Sequence, residues 1–309
     1  MMLERALELA ERGRGTTHPN PVVGAVVVRD GEVVGEGWHE RKGGPHAEAV
    51  ALEAAGERAR GGTLFVTLEP CSREGRTPPC VDAVLASGVA KVVVGTEDPT
   101  QDGLKALRAG GLEVELVDLW AARRQNEAWL TWARLNRPFV TYKAAVTLDG
   151  RMTAPGERWV SGEESRRLVH ELRAASDAVA VGMGTALADN PRLDARGVEV
   201  ERQPRRLAFG RGPLPEGSEL ELVSGPLEQE LKRLAEEGVQ SLLLEGGSTL
   251  ASSFFAADLV DKVLVFVAPK LAGEGPVLVG SLPQAVTLTR LSARPVGDDV
   301  LLTAYVHEP

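Results

Sequence analysis

The chain has few cysteines, no long apolar run and no excess of basic residues. Cys71 and Cys80 are the only cysteines among 309 residues. Such sparse cysteine is typical of a reducing compartment, although a disulfide between the two stays open as an alternative. No run of about 18 apolar residues occurs, so we expect no membrane span. The first ten residues have apolar side chains at helical spacing, which indicates an amphipathic helix and not a signal peptide. These features predict a cytoplasmic protein.

Acidic residues outnumber basic ones, 44 to 35, which gives a net charge of −9. This balance argues against a general nucleic-acid binder, although local basic pockets for phosphate stay possible. The hydrophobic content of 43% and the charged content of 26% are those of a soluble globular protein. The length is sufficient for two domains of ordinary size.

Three potential metal ligands are spread over the first half of the chain. His46, Cys71 and Cys80 offer an imidazole and two thiolates, and three such ligands leave one position on a zinc ion open for water. Glu48, two residues after the histidine, is placed to handle a proton on that water. The pattern is a variant of the H-x-E…P-C-x-x-C motif of zinc nucleobase deaminases. Here eight residues separate the cysteines.

Other interpretations of these residues stay open. A structural zinc site usually closes with four protein ligands, and His39 is the only nearby histidine that could complete one. A hydrogen-bonding or surface role is the simpler interpretation of His39. Asn20 could hydrogen-bond the edge of a pyrimidine, but a plain Asn-Pro turn accounts for it equally directly.

Strand and helix patterns alternate through the first half. After an initial helix over 2–13, strands are predicted at 22–28, 33–38, 63–68, 91–95 and 112–117, and helices at 46–57, 81–87 and 104–109. Arg29-Asp30-Gly31 predicts a hairpin turn between the first two strands. A single linking helix is predicted over 118–135, with a domain boundary at about residue 137. The alternation predicts a mixed sheet with helices on both faces.

The second half continues the alternation. Strands are predicted at 139–146, 178–181, 206–209, 240–244, 263–267 and 300–306, and helices end near 174, 237 and 255. Ser161-Gly162-Glu163-Glu164 predicts a capping box. Gly246-Gly247, followed by Ser248 and Thr249 at a hydroxyl-capped helix start, predicts a cradle for a pyrophosphate. Gly182-Met183-Gly184-Thr185 is a weaker signal of the same kind, and tight turns explain both stretches almost as well.

Longer motifs occur in both halves of the chain. The first half carries Asn20-Pro21-Val22-Val23-Gly24, Gly35-Glu36-Gly37-Trp38-His39, His46-Ala47-Glu48, Leu68-Glu69-Pro70-Cys71 and Gly75-Arg76-Thr77-Pro78-Pro79-Cys80. The second carries Tyr142-Lys143-Ala144, Thr147-Leu148-Asp149-Gly150-Arg151, Asp189-Asn190-Pro191 and Glu245-Gly246-Gly247. Together these motifs resemble the bifunctional pyrimidine deaminase/reductases of riboflavin biosynthesis. Two departures from the family pattern occur: Arg73-Glu74 replaces two frequent histidines, and the segment after Asp98-Pro99 is shorter.

The resemblance implies an α/β protein with two domains. Residues 1–137 would form a cytidine-deaminase-like three-layer domain, and residues 138–309 a dihydrofolate-reductase-like α/β domain. The first would use Zn²⁺ to remove the 2-amino group of 2,5-diamino-6-(5-phosphoribosylamino)pyrimidin-4-one by hydrolysis. The second would use NADPH to reduce the ribosyl group of 5-amino-6-(5-phosphoribosylamino)uracil to a ribityl chain.

The resemblance also implies roles for single residues. It assigns substrate contacts to Arg173, Leu193, Arg196 and Glu245. The open imine form of the sugar is the electrophile of the implied reduction, so a nearby acid or cation should favour it. Lys143, Asp189 and Glu245 are the candidates for this role. The NADPH contacts are then Val146, Trp159, Thr185, Asp189, Gly247, Ser248 and Thr249, with Arg211 as a candidate for the 2′-phosphate. Expected partners are phosphoribosylated pyrimidines and further copies of the chain, with no nucleic acid and no membrane. The alternatives are a nucleic-acid or nucleoside deaminase, and a structural zinc module fused to a reductase.

Overall fold

The computed structural model describes residues 2–75, 78–200 and 202–309. The chain divides into two compact units, residues 1–135 with Pro309, and residues 136–308. Arg76 and Thr77 of the Gly-Arg-Thr-Pro-Pro-Cys motif lie outside the described residues. Within the described ranges, no helix is both long enough and apolar enough to cross a lipid bilayer.

The first unit is a five-stranded mixed sheet with helices, as the alternating pattern predicted. Its strands are β1 Gly24–Arg29, β2 Glu32–Trp38, β3 Thr63–Val66, β4 Lys91–Val94 and β5 Glu113–Leu116, in the order β2-β1-β3-β4-β5. Its helices are α1 Met2–Glu11, α2 Ala47–Ala55, α3 Cys80–Ser87, α4 Gly103–Ala109, α5 Trp120–Gln125 and α6 Glu127–Leu135. The tight hairpin makes β1 and β2 antiparallel, whereas helical crossovers make β3, β4 and β5 parallel.

Helix α2 lies directly on strand β2 because two positions of that strand have no side chain. A Cβ atom at Gly35 would lie 2.2 Å from the carbonyl oxygen of Ala51, and one at Gly37 would lie 2.6 Å from that of Ala47. Both distances are too short for any side chain. The two glycines therefore set the position of the start of α2, where His46 and Glu48 lie.

The single linking helix predicted over 118–135 is wrong, because the segment forms two helices, α5 and α6. Asn126 lies between them, and its side chain pairs with the backbone of Val22. The Asn126 Nδ2 donates to the Val22 oxygen at 2.8 Å, and its Oδ1 accepts from the Val22 nitrogen at 3.0 Å. This buried long-range pair favours a break that the helical periodicity alone does not show.

The second unit contains an eight-stranded sheet. Its strands are β6 Phe139–Thr147, β7 Ala178–Gly182, β8 Arg205–Phe209, β9 Glu221–Val223, β10 Ser241–Leu244, β11 Lys262–Ala268, β12 Thr289–Val296 and β13 Asp299–Tyr305, in the order β12-β13-β11-β6-β10-β7-β8-β9. Its helices are α7 Glu163–Ala174, α8 Met183–Asp189, α9 Leu227–Glu236 and α10 Ser248–Ala256. Strands β6, β7 and β10 are parallel neighbours, so their carboxyl ends share one edge of the sheet.

The sequence prediction missed β9 and β12. Strand β12 is exposed along nearly its whole length, so it lacks the apolar alternation that marks a half-buried strand. The predicted capping box at Ser161 is also wrong. Helix α7 is capped at Gly162, whose N–H donates to the Asp299 carboxylate at 2.8 Å, and Ser165 donates to the same oxygen. An acceptor from a distant strand thus replaces the local cap.

Asp261, directly before β11, is a buried carboxylate that accepts several hydrogen bonds. It is 1% exposed, and the Arg137 guanidinium donates two hydrogen bonds of 2.7 Å to its carboxylate. The backbone N–H of Val140 donates to it at 2.8 Å. The carboxylate therefore ties the first residues of β6 to β11.

We predict that Asp261→Asn destabilises the second unit by about 3 kcal/mol, because it leaves the Arg137 guanidinium without its counter-charge. Hydrogen exchange of β6 and β11 peptides measures the loss of protection. In the control, Glu219→Gln removes the partner of Arg206 at a carboxylate that is 62% exposed, and should change stability by less than about 1 kcal/mol. Equal effects of the two substitutions would contradict the prediction.

Candidate active sites

Two helix starts bring the predicted metal ligands together. His46 is the N-cap residue of α2, and Cys80 is the first residue of α3. Cys71 lies in the loop after β3. That loop is held by Gln101, whose side-chain oxygen accepts from the backbone nitrogens of Ser72 at 3.0 Å and Arg73 at 3.3 Å. Gln101 was not predicted, because nothing in the local sequence links it to a residue some thirty positions earlier.

The geometry of the three ligands fits one tetrahedral ion. The ligand atoms of His46, Cys71 and Cys80 all lie within 4.8 Å of one another. The Nδ1 atom of His46 lies 3.2 Å from the Cys80 sulfur and 3.5 Å from the Cys71 sulfur. Ligands on tetrahedral zinc are separated by about 3.6 Å, given the usual bond lengths. Both cysteines are free thiols, which disfavours the disulfide alternative.

Hydrogen bonds already favour a thiolate at this site. The backbone N–H of Cys80 donates to the Cys71 sulfur at 3.2 Å. The Cys80 thiol and the His46 ring also interact with Cys71, and together these groups lower the pKa of Cys71 to about 4. A thiolate is the form in which cysteine binds a metal.

His39 does not complete a four-ligand structural site. Its Nδ1 lies 2.9 Å from the Pro45 carbonyl oxygen, and its Nε2 lies 3.3 Å from the Asn20 Nδ2. Since a carbonyl only accepts, Nδ1 carries the proton and Nε2 accepts from Asn20. Both ring nitrogens are therefore occupied, and the ring packs edge-on against His46. This bond fixes the amide of Asn20, with its Oδ1 left as an acceptor.

Glu48 is buried beside the metal ligands. It is 3% exposed, and it lies close enough to Cys80 and His46 for both to act on the pKa of its carboxyl group. Burial raises the pKa of Glu48 to about 7, and a cation on the three ligands would lower this value again. The side chain can therefore both take and return a proton next to a metal-activated water.

In the second unit, Glu245 follows the carboxyl end of β10 and forms ion pairs with Lys143 and Arg173. Its carboxylate lies 3.3 Å from the Lys143 Nζ and 2.6 Å from the Arg173 Nε, with a second Arg173 bond of 3.1 Å. Burial alone raises the pKa of Glu245, but Lys143 and Arg173 outweigh it and lower the pKa to about 2. The structure thus brings these three candidate site residues into contact.

The two glycine-containing turns also lie together. A Cβ atom at Gly247 would lie 3.9 Å from the Thr185 hydroxyl oxygen, and one at Gly182 would lie 3.4 Å from Leu250. The N-cap of α10 is Gly247, without a side-chain bond, so the predicted hydroxyl cap is wrong. The N–H groups of the first turn of α10 have no acceptor within the helix, so they can bind an anion such as the NADPH pyrophosphate.

The remaining cofactor candidates differ in exposure. Trp159 is 50% exposed, and it lines a cavity of about 440 Å³ with Lys270, Arg158 and Arg166. Both arginines lie over its ring, at 5.2 Å and 5.8 Å. By contrast, Val146 is buried in β6, and Asp189 is exposed at the last residue of α8. Asp189 is not part of the ion-pair cluster around Glu245.

The predicted substrate residues Leu193 and Arg196 lie in the loop after α8. Leu193 is buried and has a φ of +51°. Arg196 binds the carboxylate of Asp194 at 2.6 Å, and the Asp194 carbonyl accepts from the Arg173 Nη1 at 3.2 Å. The sequence analysis did not single out Asp194, since its partners lie both beside it and on α7.

Comparison with known families divides the chain in the same way. Residues 1–96 match the cytidine and deoxycytidylate deaminase zinc-binding region, and residues 138–302 match the RibD C-terminal domain. Among curated relatives, the riboflavin biosynthesis protein RibD of Aquifex aeolicus is 38% identical, over 97% of this chain and 96% of that protein. The protein of the same name from Escherichia coli is 38% identical, over 97% of each.

Solved structures agree over nearly the full length. The Acinetobacter baumannii RibD structure has a TM-score of 0.85 and 32% identity, and the similarity covers 98% of this chain and 97% of that one. A Thermotoga maritima diaminohydroxyphosphoribosylaminopyrimidine deaminase/5-amino-6-(5-phosphoribosylamino)uracil reductase has a TM-score of 0.82 and 36% identity, with the same coverage.

We predict that the purified chain holds about one zinc ion, as three converging ligands require. His46→Ala removes one ligand and should lose most of this zinc, as measured by atomic emission. His170→Ala, in the second unit, serves as the matched control and should retain it. Metal-free wild-type protein, or zinc retained in both variants, would be the contrary result.

The depressed pKa of Glu245 generates a prediction for acid stability. Its carboxylate stabilises the second unit above about pH 4.5, and this contribution is lost as the pH falls through the folded pKa of about 2. The stability difference between wild type and Glu245→Gln should therefore shrink as the pH falls from about 4.5 towards 2. Urea unfolding at each pH measures it. A difference that stays constant with pH would show that Glu245 does not hold its charge this way.

Proposed function

The chain belongs to the RibD family of riboflavin-biosynthesis proteins, and from this premise we propose which of its residues perform each reaction. It is a bifunctional enzyme, a zinc-dependent pyrimidine deaminase and an NADPH-dependent reductase. We assign deamination to residues 1–137 and reduction to residues 138–309. The observation that carries the assignment is the buried Glu48 carboxyl beside three converging metal ligands.

His46, Cys71 and Cys80 hold the zinc ion of the deaminase. A zinc ion bound there supplies the Lewis acid that makes an attacking water available at neutral pH. Asn20, fixed by His39, presents its Oδ1 to the N–H groups of the pyrimidine edge. The substrate is the 2,5-diamino-6-(5-phosphoribosylamino)pyrimidin-4-one.

Glu48 transfers the protons of the hydrolysis. Its carboxylate takes a proton as the water oxygen bonds to the ring carbon that carries the 2-amino group. The carboxyl group then returns a proton to a ring nitrogen, and a further transfer lets the amine leave as ammonia. Helix α2 holds the carboxyl next to the ligands, and burial keeps bulk water from competing for the proton.

In the reductase, Lys143 is the cation that favours the ring-opened imine. Its ammonium lies on β6 and is held by Glu245. Glu245 stays ionised between Lys143 and Arg173, so it orients these cations and does not itself donate a proton. Asp189 is a further acid candidate at the exposed end of α8. NADPH bound at this site would supply the hydride for the new C–H bond at C1′, and Lys143 is placed to give the proton that the imine nitrogen takes up.

We assign the remaining contacts as follows. Arg173, Leu193, Arg196 and Glu245 face the phosphoribosylaminouracil. Val146, Trp159, Thr185, Asp189, Gly247, Ser248 and Thr249 line the NADPH site, where the N-terminal amides of α10, at an N-cap without a side-chain hydrogen bond, suit its pyrophosphate. We further propose a homo-oligomer in the cytoplasm that acts on small phosphoribosylated pyrimidines and not on nucleic acid. The excess of acidic residues supports the last point.

Two substitutions test the assignment reciprocally. Glu48→Gln should abolish ammonia release from the diaminopyrimidine, because the amide cannot shuttle protons, and it should leave zinc content and NADPH oxidation unchanged. Lys143→Met should reduce NADPH oxidation by about a hundredfold or more, within the range that acid catalysis contributes, and leave ammonia release intact. Separate assays with each substrate distinguish the two activities.

Each variant serves as the folding control of the other. A Glu48→Gln protein that still releases ammonia would refute the proton-shuttle role. Loss of both activities in either variant would indicate a folding defect instead of a catalytic one, and zinc content and circular dichroism would identify it.

A further inference from the structure

The loop after α8 holds two arginines on a single carboxylate. Asp194 bonds the Arg196 Nη1 through one oxygen at 2.6 Å and the Arg192 Nη2 through the other at 2.8 Å. The Asp194 side chain is 11% exposed, whereas those of Arg192 and Arg196 are 71% and 55% exposed. One nearly buried anion thus brings two exposed guanidinium groups side by side.

This loop is fixed from several directions. The Asp194 carbonyl accepts from the His170 Nδ1 and the Arg173 Nη1, each at 3.2 Å. The side chain of Gln203 forms two bonds to the backbone of Ala195, at 2.9 Å and 2.8 Å. The two guanidinium groups therefore extend from a rigid base, and less side-chain freedom is lost when they bind an anion.

The cluster has spare positive charge and spare donors. Two guanidinium groups share one carboxylate, and each guanidinium has five N–H donors, most of which remain for another acceptor. Burial alone raises the pKa of Asp194, but Arg196 and Arg192 lower it below its usual value, so the carboxylate stays ionised. A fork of two guanidinium groups suits the oxygens of a phosphate dianion.

A single side chain, Arg173, connects the pair of guanidinium groups, here called the fork, to the ion pairs around Glu245. Arg173 bonds Glu245 with its Nε and Nη2 and the Asp194 carbonyl with its Nη1. Only the Arg173 guanidinium therefore separates the backbone of Asp194 from the Glu245 carboxylate, which pairs with Lys143. A substrate whose reacting carbon lies at Lys143 could place a phosphate on the far side of Arg173.

We propose that Asp194 is a positioning residue that holds Arg192 and Arg196 as a two-arginine site for a phosphate monoester in the reduction step. The inference rests on the proposed function, and it adds Arg192 and Asp194 to the residues assigned there. The reaction includes two phosphate monoesters, the ribosyl 5-phosphate of the pyrimidine and the 2′-phosphate of NADPH. Both offer the same dianion to the fork.

The test compares Arg192→Ala and Asp194→Asn with wild-type enzyme in the reduction assay. Four arms combine phosphorylated or dephosphorylated pyrimidine with NADPH or NADH. Each variant should raise the KM of the phosphate-bearing compound that the fork binds by about tenfold, the effect of one charge-assisted hydrogen bond. The kcat should stay within about twofold, and the KM of the compound without that phosphate should not change.

The double variant distinguishes positioning from an independent contact. If Asp194 acts through the arginines, Arg192→Ala combined with Asp194→Asn should raise KM by less than the product of the single effects. Arg167→Ala is the charge control, on an arginine of α7 that is 74% exposed. This control should not distinguish phosphorylated from dephosphorylated compounds.

A KM effect that is equal with and without phosphate in every arm, or no effect in any arm, overturns the proposal. An effect confined to the pyrimidine arms supports it with the ribosyl phosphate as the ligand, and one confined to the cofactor arms supports it with the 2′-phosphate. Calorimetry with inorganic phosphate tests the site without catalysis. Weaker phosphate binding by Arg192→Ala should be seen even if wild-type enzyme failed to reduce the pyrimidine, a failure that would refute only the proposed function.

Discussion

Opposite charges held together at the ends of strands and the starts of helices are the interaction on which both candidate sites depend. In the second unit, Glu245 stands at the carboxyl end of β10 and neutralises Lys143 and Arg173. Without that carboxylate, two half-buried cations would face each other across the sheet edge. In the first unit the missing charge is positive. The sulfur and imidazole ligands converge, and a bound cation would neutralise the thiolates. In both sites, charged groups held out of water are therefore stabilised by a group of opposite charge.

Backbone packing decides where those charges lie. The close approach of α2 to β2 at Gly35 and Gly37 fixes the helix start that carries His46. In the second unit, parallel pairing of β6 with β10 aligns Tyr142 with Leu244, so Lys143 and Glu245 follow in register on neighbouring strands. Helix packing and strand register therefore set the backbone positions of the charged side chains. The loops add hydrogen-bond donors around those positions.

The sequence predicted most of the strands and the three potential metal ligands that the structure brings together, because both depend on local pattern and residue chemistry. His46, Cys71 and Cys80 are recognisable wherever they lie, since few other side chains bind zinc. The break at Asn126 and the cap that Asp299 provides could not be predicted. Each depends on a partner more than a hundred residues away, which no local periodicity records. The exposed strand β12 was not predicted because it buries too few side chains to show an alternating apolar pattern.

Glu48 and Glu245 show how one residue type serves opposite purposes. Both carboxyl groups are removed from solvent, and for both burial favours the neutral form. At Glu48 burial outweighs the attraction of the neighbouring His46 ring, and the pKa is raised to about 7. At Glu245 two cations overcome the same burial and lower the pKa to about 2. A group that must exchange protons needs the first environment, whereas a group that must orient cations needs the second. The difference lies in neighbours from other strands and helices, so the identity of the residue alone does not decide its role.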